Sequence, residues 1–346
     1  MTEKVLYIYG IVPNFYSTEM FRSLENSGLS AIPFENMSAI VAERNMLMTD
    51  FTDRESLGNL LVHHQKTIEE LQAIGFNVII PMRLGTTANS REDVFKIFLS
   101  GYELISSILK KIQFLTEFDV AVTWVDFPAT VREMASHPDV IALKEKLLKK
   151  NEQPTLDDQM QAGMLLQSKL KENNVKIELR LLDLMSSLSL DIRNHPVMND
   201  EMVTNSAFLV KRNSSEKFES ILDMFDKEFE GKLNFRLVGP LPCYSFYTLD
   251  VKKLSPEQIE LAGRELGLSA NSSEADIKKA YLGKARLLHP DTSKEAGSEE
   301  NFTRITQAYH TLLEYALAVK QSYNSENNTE SDEKRTGNLI LVKIKD

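Results

Sequence analysis

Along the chain, apolar residues switch between a two-residue period and helical spacing, and the switches mark the elements. Residues 4–12 (KVLYIYGIV) are β-branched and aromatic and read as a strand. Residues 16–27 then take helical spacing until Gly28 interrupts it. SAIPFE and SAIVAER, separated by Asn36 and Met37, suit a hairpin. Thr52 with Glu55 forms a capping box ahead of an amphipathic run from Leu57 to Ile74, which Gly75 closes. FNVIIPMRL follows as a strand, and Ser90 with Asp93 caps a helix carrying Val94, Phe95, Phe98, Leu99, Leu104 and Ile105. Strand, helix, strand, strand, helix, strand is the split βαβ, or ferredoxin-like, order, with helices on one face of a mostly antiparallel sheet.

A second unit opens with FDVAVTWVD and continues through a helical stretch from about Thr130 to Leu190, broken at Pro154 and Thr155. SAFLVKR returns to sheet, followed by a helix at 215–229 and the strands LNFRLVG and YSFYTLDV. Ser255, Pro256 and Gln258 supply an N-cap, an N1 proline and an N3 partner, a natural boundary before three further helices. Residues 322–336 are polar and rich in Asn, Ser and Glu, as in a flexible linker. NLILVKIKD is a last strand, which needs a sheet edge and is expected to find one in either sandwich. The predicted fold class is therefore α+β, with two ferredoxin-like sandwich units, the second with a helical insertion at about 130–192, and then a small all-α module. The predicted domains are 1–116, 117–254 and 255–321, with a linker at 322–336 and a strand at 337–346.

Length supports this division, since 346 residues exceed one ordinary core. A net charge of -10 argues against nucleic acid or an anionic membrane as the main partner. The single cysteine, Cys243, can form neither an internal disulfide nor a thiolate zinc site and fits a cytoplasmic protein. Its surroundings in sequence suggest a buried or bystander thiol rather than a nucleophile. No apolar run approaches the ~20 residues a spanning helix needs. PMRLGTT at 81–87 lacks the glycine cradle and Gly-Lys-Ser/Thr of a phosphate loop. His63 and His64 are adjacent, so on a helix they point about 100° apart and cannot share a metal; a packing histidine is the expected reading. No acid, base, nucleophile and metal-ligand cluster is visible, so neither catalytic residues, a metal nor a cofactor is expected.

The most specific signal is ADIKKAYLGKARLLHPDT followed by NFTRITQAYHTLL. Ile277, Ala280 and Tyr281 recur at helical spacing, His289, Pro290 and Asp291 follow them, and Phe302, Ile305, Ala308, Tyr309 and Leu312 mark a returning helix. This stretch resembles the J-domain of DnaJ-type co-chaperones. The resemblance implies that His289, Pro290 and Asp291, with the basic residues Lys278, Lys279 and Arg286, engage a DnaK-type chaperone. The stretch departs from the family at Leu282, Gly283 and Leu287, where basic residues are usual, and at Lys284, where a core leucine is usual. A thinner basic face weakens recruitment, and Leu282 and Leu287 become candidates to dock on the rest of the protein. A second tripeptide, His137, Pro138 and Asp139, lacks that context and is expected only to end one helix and cap the next.

YIYGIVP, MSAIVAE, VHHQKTIEEL with VIIPMRLGTT, EFDVAVTW, NSAFLVKR and GPLPCYSFYTLDV occur in family order over residues 4–251. This part resembles the GvpF/GvpL family of gas vesicle proteins. The resemblance implies an assembly factor, in the cytoplasm and on gas vesicles, that binds the hydrophobic shell protein and works beside other gas vesicle accessory proteins. Arg83, Tyr244 and Phe246 are its candidate shell contacts. The rival readings are a general J-domain co-chaperone and a minor structural component of the vesicle surface.

Overall fold

The computed structural model describes residues 3–46, 53–149, 155–229, 231–269, 272–288, 298–325 and 339–345. These form two compact units, one built from residues 1–113 together with 247–346, the other from 114–246.

In the first unit β1 (Glu3–Pro13) is central, and from Tyr7 onward it is buried on both faces. Helix α1 (Thr18–Ser23) starts where the Ser17 side chain accepts from Met20 N, and a 3-10 turn carries it to Gly28, whose φ of 68° ends it. Strands β2 (Ser30–Phe34) and β3 (Met37–Met46) form the expected hairpin, with Phe34 opposite Met37. Helix α2 (Arg54–Ile74) ends at Gly75 as expected, at a φ of 114°. Its N-cap is Asp53, which accepts from Ser56 N, one residue later than the expected Thr52, which lies outside the described residues. An aspartate carboxylate meets the free amides of the first turn as well as a threonine hydroxyl does.

The expected strand FNVIIPMRL is reduced to β4 (Ile80–Pro81), followed by β5 (Thr87–Ala88), both antiparallel to β1. Pro81 has no N–H to extend the ladder. After Met82 N bonds Tyr9 O, the chain leaves β1, and Arg83 N donates instead to Leu249 O at 2.7 Å. Helix α3 (Arg91–Ile112) is capped by Ser90 as expected. The sheet order β2-β3-β1-β4 is the ferredoxin-like order.

The second unit repeats this topology. Its strands are β6 (Leu115–Trp124), β7 (Ser189–Asn194), β8 (Met202–Lys211) and β9 (Leu233–Leu241), in the order β7-β8-β6-β9. Between β6 and β7 lie α4 (Phe127–Ala135), α5 (Pro138–Leu148) and α6 (Leu156–Ser186), and α7 (Ser215–Lys227) connects β8 to β9. Phe118, Phe208 and Phe218 close the core, with the Phe118 and Phe218 rings stacked 5.0 Å apart. Strand β7 corrects the expected helix, which was carried to Leu190. SLDIRN lies on the sheet edge and is largely exposed, so it has no apolar alternation to announce it.

YSFYTLDV also differs from expectation, being a short helix α8 (Tyr244–Tyr247) and then β10 (Leu249–Leu254). Strand β10 belongs to the first unit, so the second ends at Phe246 rather than at 254. Helices α9 (Pro256–Leu266), α10 (Glu274–Leu288) and α11 (Ser298–Ser325) follow, with Ser255 and Gln258 forming the expected capping box. The expected linker begins later than residue 322, since α11 runs to Ser325; the remainder of that stretch lies outside the described residues. The last strand, β11 (Leu339–Ile344), joins neither sandwich sheet and pairs antiparallel with β10.

Candidate partner-binding surfaces

In the helical module, Ile277 of α10 and Ile305, Ala308 and Leu312 of α11 are buried together with Leu254, Ile259, Ala262 and Leu266. Tyr281 stacks on Tyr309 with ring centroids 4.4 Å apart and planes 20° apart, which fixes α10 against α11 in register. The residues read as J-like from their spacing are thus the ones that meet. Lys278, Lys279 and Arg286 are exposed on α10. Lys284 is not part of that face: its ammonium donates to the Glu265 carbonyl in the last turn of α9, where a cation meets unpaired carbonyls. A lysine at this position therefore ties α10 to α9 by a hydrogen bond instead of by apolar packing. Leu282 and Leu287 stay 45% and 76% exposed, so they do not dock on the rest of the chain as expected. His289, Pro290 and Asp291 lie outside the described residues.

The other tripeptide has the structural part expected of it. The ring of His137 caps α5 by accepting from Asp139 N, Pro138 occupies the first helical turn, and Asp139 pairs with Lys169 of α6 at 2.7 Å.

The three candidate shell contacts fall in different units. Arg83 belongs to the first unit and Tyr244 and Phe246 to the second. The Arg83 guanidinium is ion-paired with Asp250 at 2.9 Å, and half of its side chain is exposed. Phe246 is only 3% exposed, with the Arg193 guanidinium 5.5 Å above its ring, so it is a packing residue and cannot present a contact face.

Two buried polar clusters surround residues that the sequence marks only as packing groups, Cys243 and His64. Glu117 of β6 accepts from Ser245 N at 2.9 Å and from Ser245 Oγ at 2.7 Å, and His195 Nε2 lies 3.1 Å from the same hydroxyl. Burial, with Asp119 nearby, raises the Glu117 carboxyl well above the usual carboxylate range, and burial raises Asp119 as well. Cys243 is buried beside them, its thiol pushed up to about 12 by burial and by the Glu117 charge. The hydroxyl bonds a carboxylate that binds its proton tightly and the thiol stays protonated, which suits a packed joint. Alternation along β6 could not have flagged Glu117, because it puts Phe118, Val120, Val122 and Trp124 on the core face and Glu117 with Asp119 on the other.

The second cluster explains the adjacent histidines. His64 is buried and its Nδ1 shares a hydrogen bond with Tyr7 Oη at 2.8 Å. Burial, then His63 and Arg44, push its pKa down to about 4. His63 is exposed at the rim of the same cluster, stacked over Tyr9 and receiving a hydrogen bond from Arg44 at 2.9 Å. Among the described residues no group of His, Cys, Asp and Glu is arranged to hold a metal. No helix among them is long and apolar enough to cross a membrane.

Two ferredoxin-like sandwiches followed by a J-type helical module define the class of protein. Residues 5–248 match the profile of the gas vesicle synthesis protein GvpL/GvpF family, to which the chain belongs, and residues 264–317 match the DnaJ domain. The chain is 23% identical over 248 residues to gas vesicle protein F of Dolichospermum flosaquae, a match covering 71% of this chain and 98% of that one. Its fold is like that of gas vesicle protein GvpF from Anabaena sp. PCC7120, with a TM-score of 0.59 at 20% identity over 70% of this chain and 98% of the other. The J-type stretch is 51% identical over 49 residues to the chaperone protein DnaJ of Rippkaea orientalis; this is 14% of the present chain and 13% of that chaperone.

Proposed function

We propose that this protein is a gas vesicle assembly factor that holds the hydrophobic shell protein in a soluble form, while its J-type module recruits a DnaK-type ATPase to the complex. The observation that carries the reading is the union in one chain of a GvpL/GvpF match over 5–248 and a DnaJ match over 264–317. A shell subunit that buries its apolar surface only on polymerising must be shielded beforehand, or it aggregates. A DnaK-type partner would couple release of that subunit to ATP hydrolysis. The protein acts on this reading as a binding partner, in the cytoplasm and at the vesicle, with no chemistry of its own. Lys278, Lys279 and Arg286 on the exposed side of α10, with His289, Pro290 and Asp291, would make the ATPase contact, and three cations steer encounter more weakly than a longer basic row.

The test has two arms. Purified full-length chain, mixed with shell protein diluted from denaturant, should suppress its light scattering at near-stoichiometric ratio. Scattering that is unchanged rejects the shielding role. The same chain should raise single-turnover ATP hydrolysis by DnaK, and His289→Gln should abolish the increase while leaving suppression intact. No stimulation by the wild type rejects recruitment.

A further inference from the structure

The two family matches leave two strands unaccounted for. Strand β10 begins at Leu249, just past the first match, and β11 begins at Leu339, well past the second. These two strands pair with one another along their whole length, from Leu249 opposite Ile344 to Leu254 opposite Leu339.

We infer that the β10–β11 ribbon is a strap that fixes the J-type module to the first sandwich, so that α10 is presented in one orientation rather than on a free tether. Each side of the ribbon is engaged. Toward the helices, Leu341 is fully buried among Leu254, Ile259, Leu266, Ile305 and Leu312, and thus completes the module's own core. Toward the sandwich, Val342 sits on Gly101 of α3, where a Cβ on the glycine would lie 2.8 Å from the valine side chain. Only a glycine lets a strand come this near to a helix.

Hydrogen bonds and charges hold the same joint. The Gln321 side chain of α11 grips the Val342 backbone, donating to its carbonyl at 2.6 Å and accepting from its N–H at 3.3 Å. Glu314 of α11 pairs with Lys252 of β10 and, at 3.3 Å, with Lys343 of β11, so one carboxylate spans both strands. At the other end Arg83 ties β10 to the sandwich twice, by its ion pair to Asp250 at 2.9 Å and by its backbone N–H to Leu249 O at 2.7 Å. The strap leaves Lys278, Lys279, Leu282, Arg286 and Leu287 exposed on α10. It therefore sets the direction from which any partner of that face approaches, and this holds whichever partner that is.

Hydrogen exchange on full-length protein tests the strap. Val342→Asp places a charge against Gly101 and should speed exchange in β10 and α9–α11 by roughly tenfold or more, leaving β1, β3, β6 and β8 protected. Unchanged protection in α9–α11 would overturn the inference, and so would equal loss in β1 and β3, which would make β11 a member of the sandwich core. A second variant avoids the folding question: a protease site placed within 326–336 is cut after folding. Retention of the β11 fragment on gel filtration with α9–α11 still protected supports the strap, as does its departure with loss of that protection. Departure of the fragment with α9–α11 still protected overturns it.

Discussion

Gly101 and Val342 meet at a separation that leaves no room for a methyl group: a Cβ on Gly101 would lie 2.8 Å from the Val342 side chain. This close approach seats β11 against α3. Gly101→Ala should gain up to ~1 kcal/mol of helix propensity but lose about 1–3 kcal/mol to overpacking. Gly101→Val should be clearly destabilising. Denaturant midpoints of the two variants check the order, wild type above Ala above Val.

The module core makes a second prediction. Ile277 is buried between α9 and α11, so Ile277→Ala should cost about 2–4 kcal/mol. The loss should fall on α9–α11 and leave the second unit's unfolding transition in place. Thermal unfolding followed by calorimetry reads both.

His64 gives a pH dependence with a definite sign. Its folded pKa of about 4 lies below the ordinary 6.5, so the unfolded chain binds more protons between these values. The stability this neutral histidine contributes is whole above about pH 6.5 and is lost as pH falls toward 4. Urea midpoints at pH 5 and 7.5 should show that loss in the wild type. In His64→Gln the difference between the two pH values should shrink, while stability at pH 7.5 drops because the Tyr7 hydrogen bond is disturbed.

Glu117 acts in the opposite direction. Its carboxyl binds a proton more tightly in the folded protein than in the unfolded chain, so its contribution is largest below the ordinary carboxylate pKa and fades as pH rises. Glu117→Gln should flatten the decline in stability between about pH 4.5 and about 8. Urea midpoints across that range check it. A steeper decline in the variant than in the wild type would contradict the assignment.

Cys243 should be inert in the native state, since its thiol is buried and held protonated up to about 12. Alkylation by iodoacetamide, followed by mass, should proceed only at the rate of unfolding and become fast in denaturant.

Much of this protein could be read locally. The hairpin at 30–46, the caps Ser90 and Ser255, the stops at Gly28 and Gly75, and the tyrosines Tyr281 and Tyr309 are set by residues a few positions apart, and short-range sterics and hydrogen bonds decide such features. The surroundings of the candidate contacts could not be read this way. Arg83 and Phe246 carry side chains common on binding surfaces, yet one is paired with Asp250 and the other is buried under Arg193, and no local pattern shows a partner so far away in sequence.

The amino-acid sequence by itself determined most of the strands and helices, where many of them start and stop, and the presence of a J-type pair behind two ferredoxin-like units. Tertiary structure alone decided that SLDIRN is an edge strand, that β10 leaves the second unit to pair with β11, and that Glu117 meets Ser245 across 128 residues. The reason is physical: periodicity records which face of an element is buried, whereas the partner that buries it is selected by packing between segments the chain brings together only on folding.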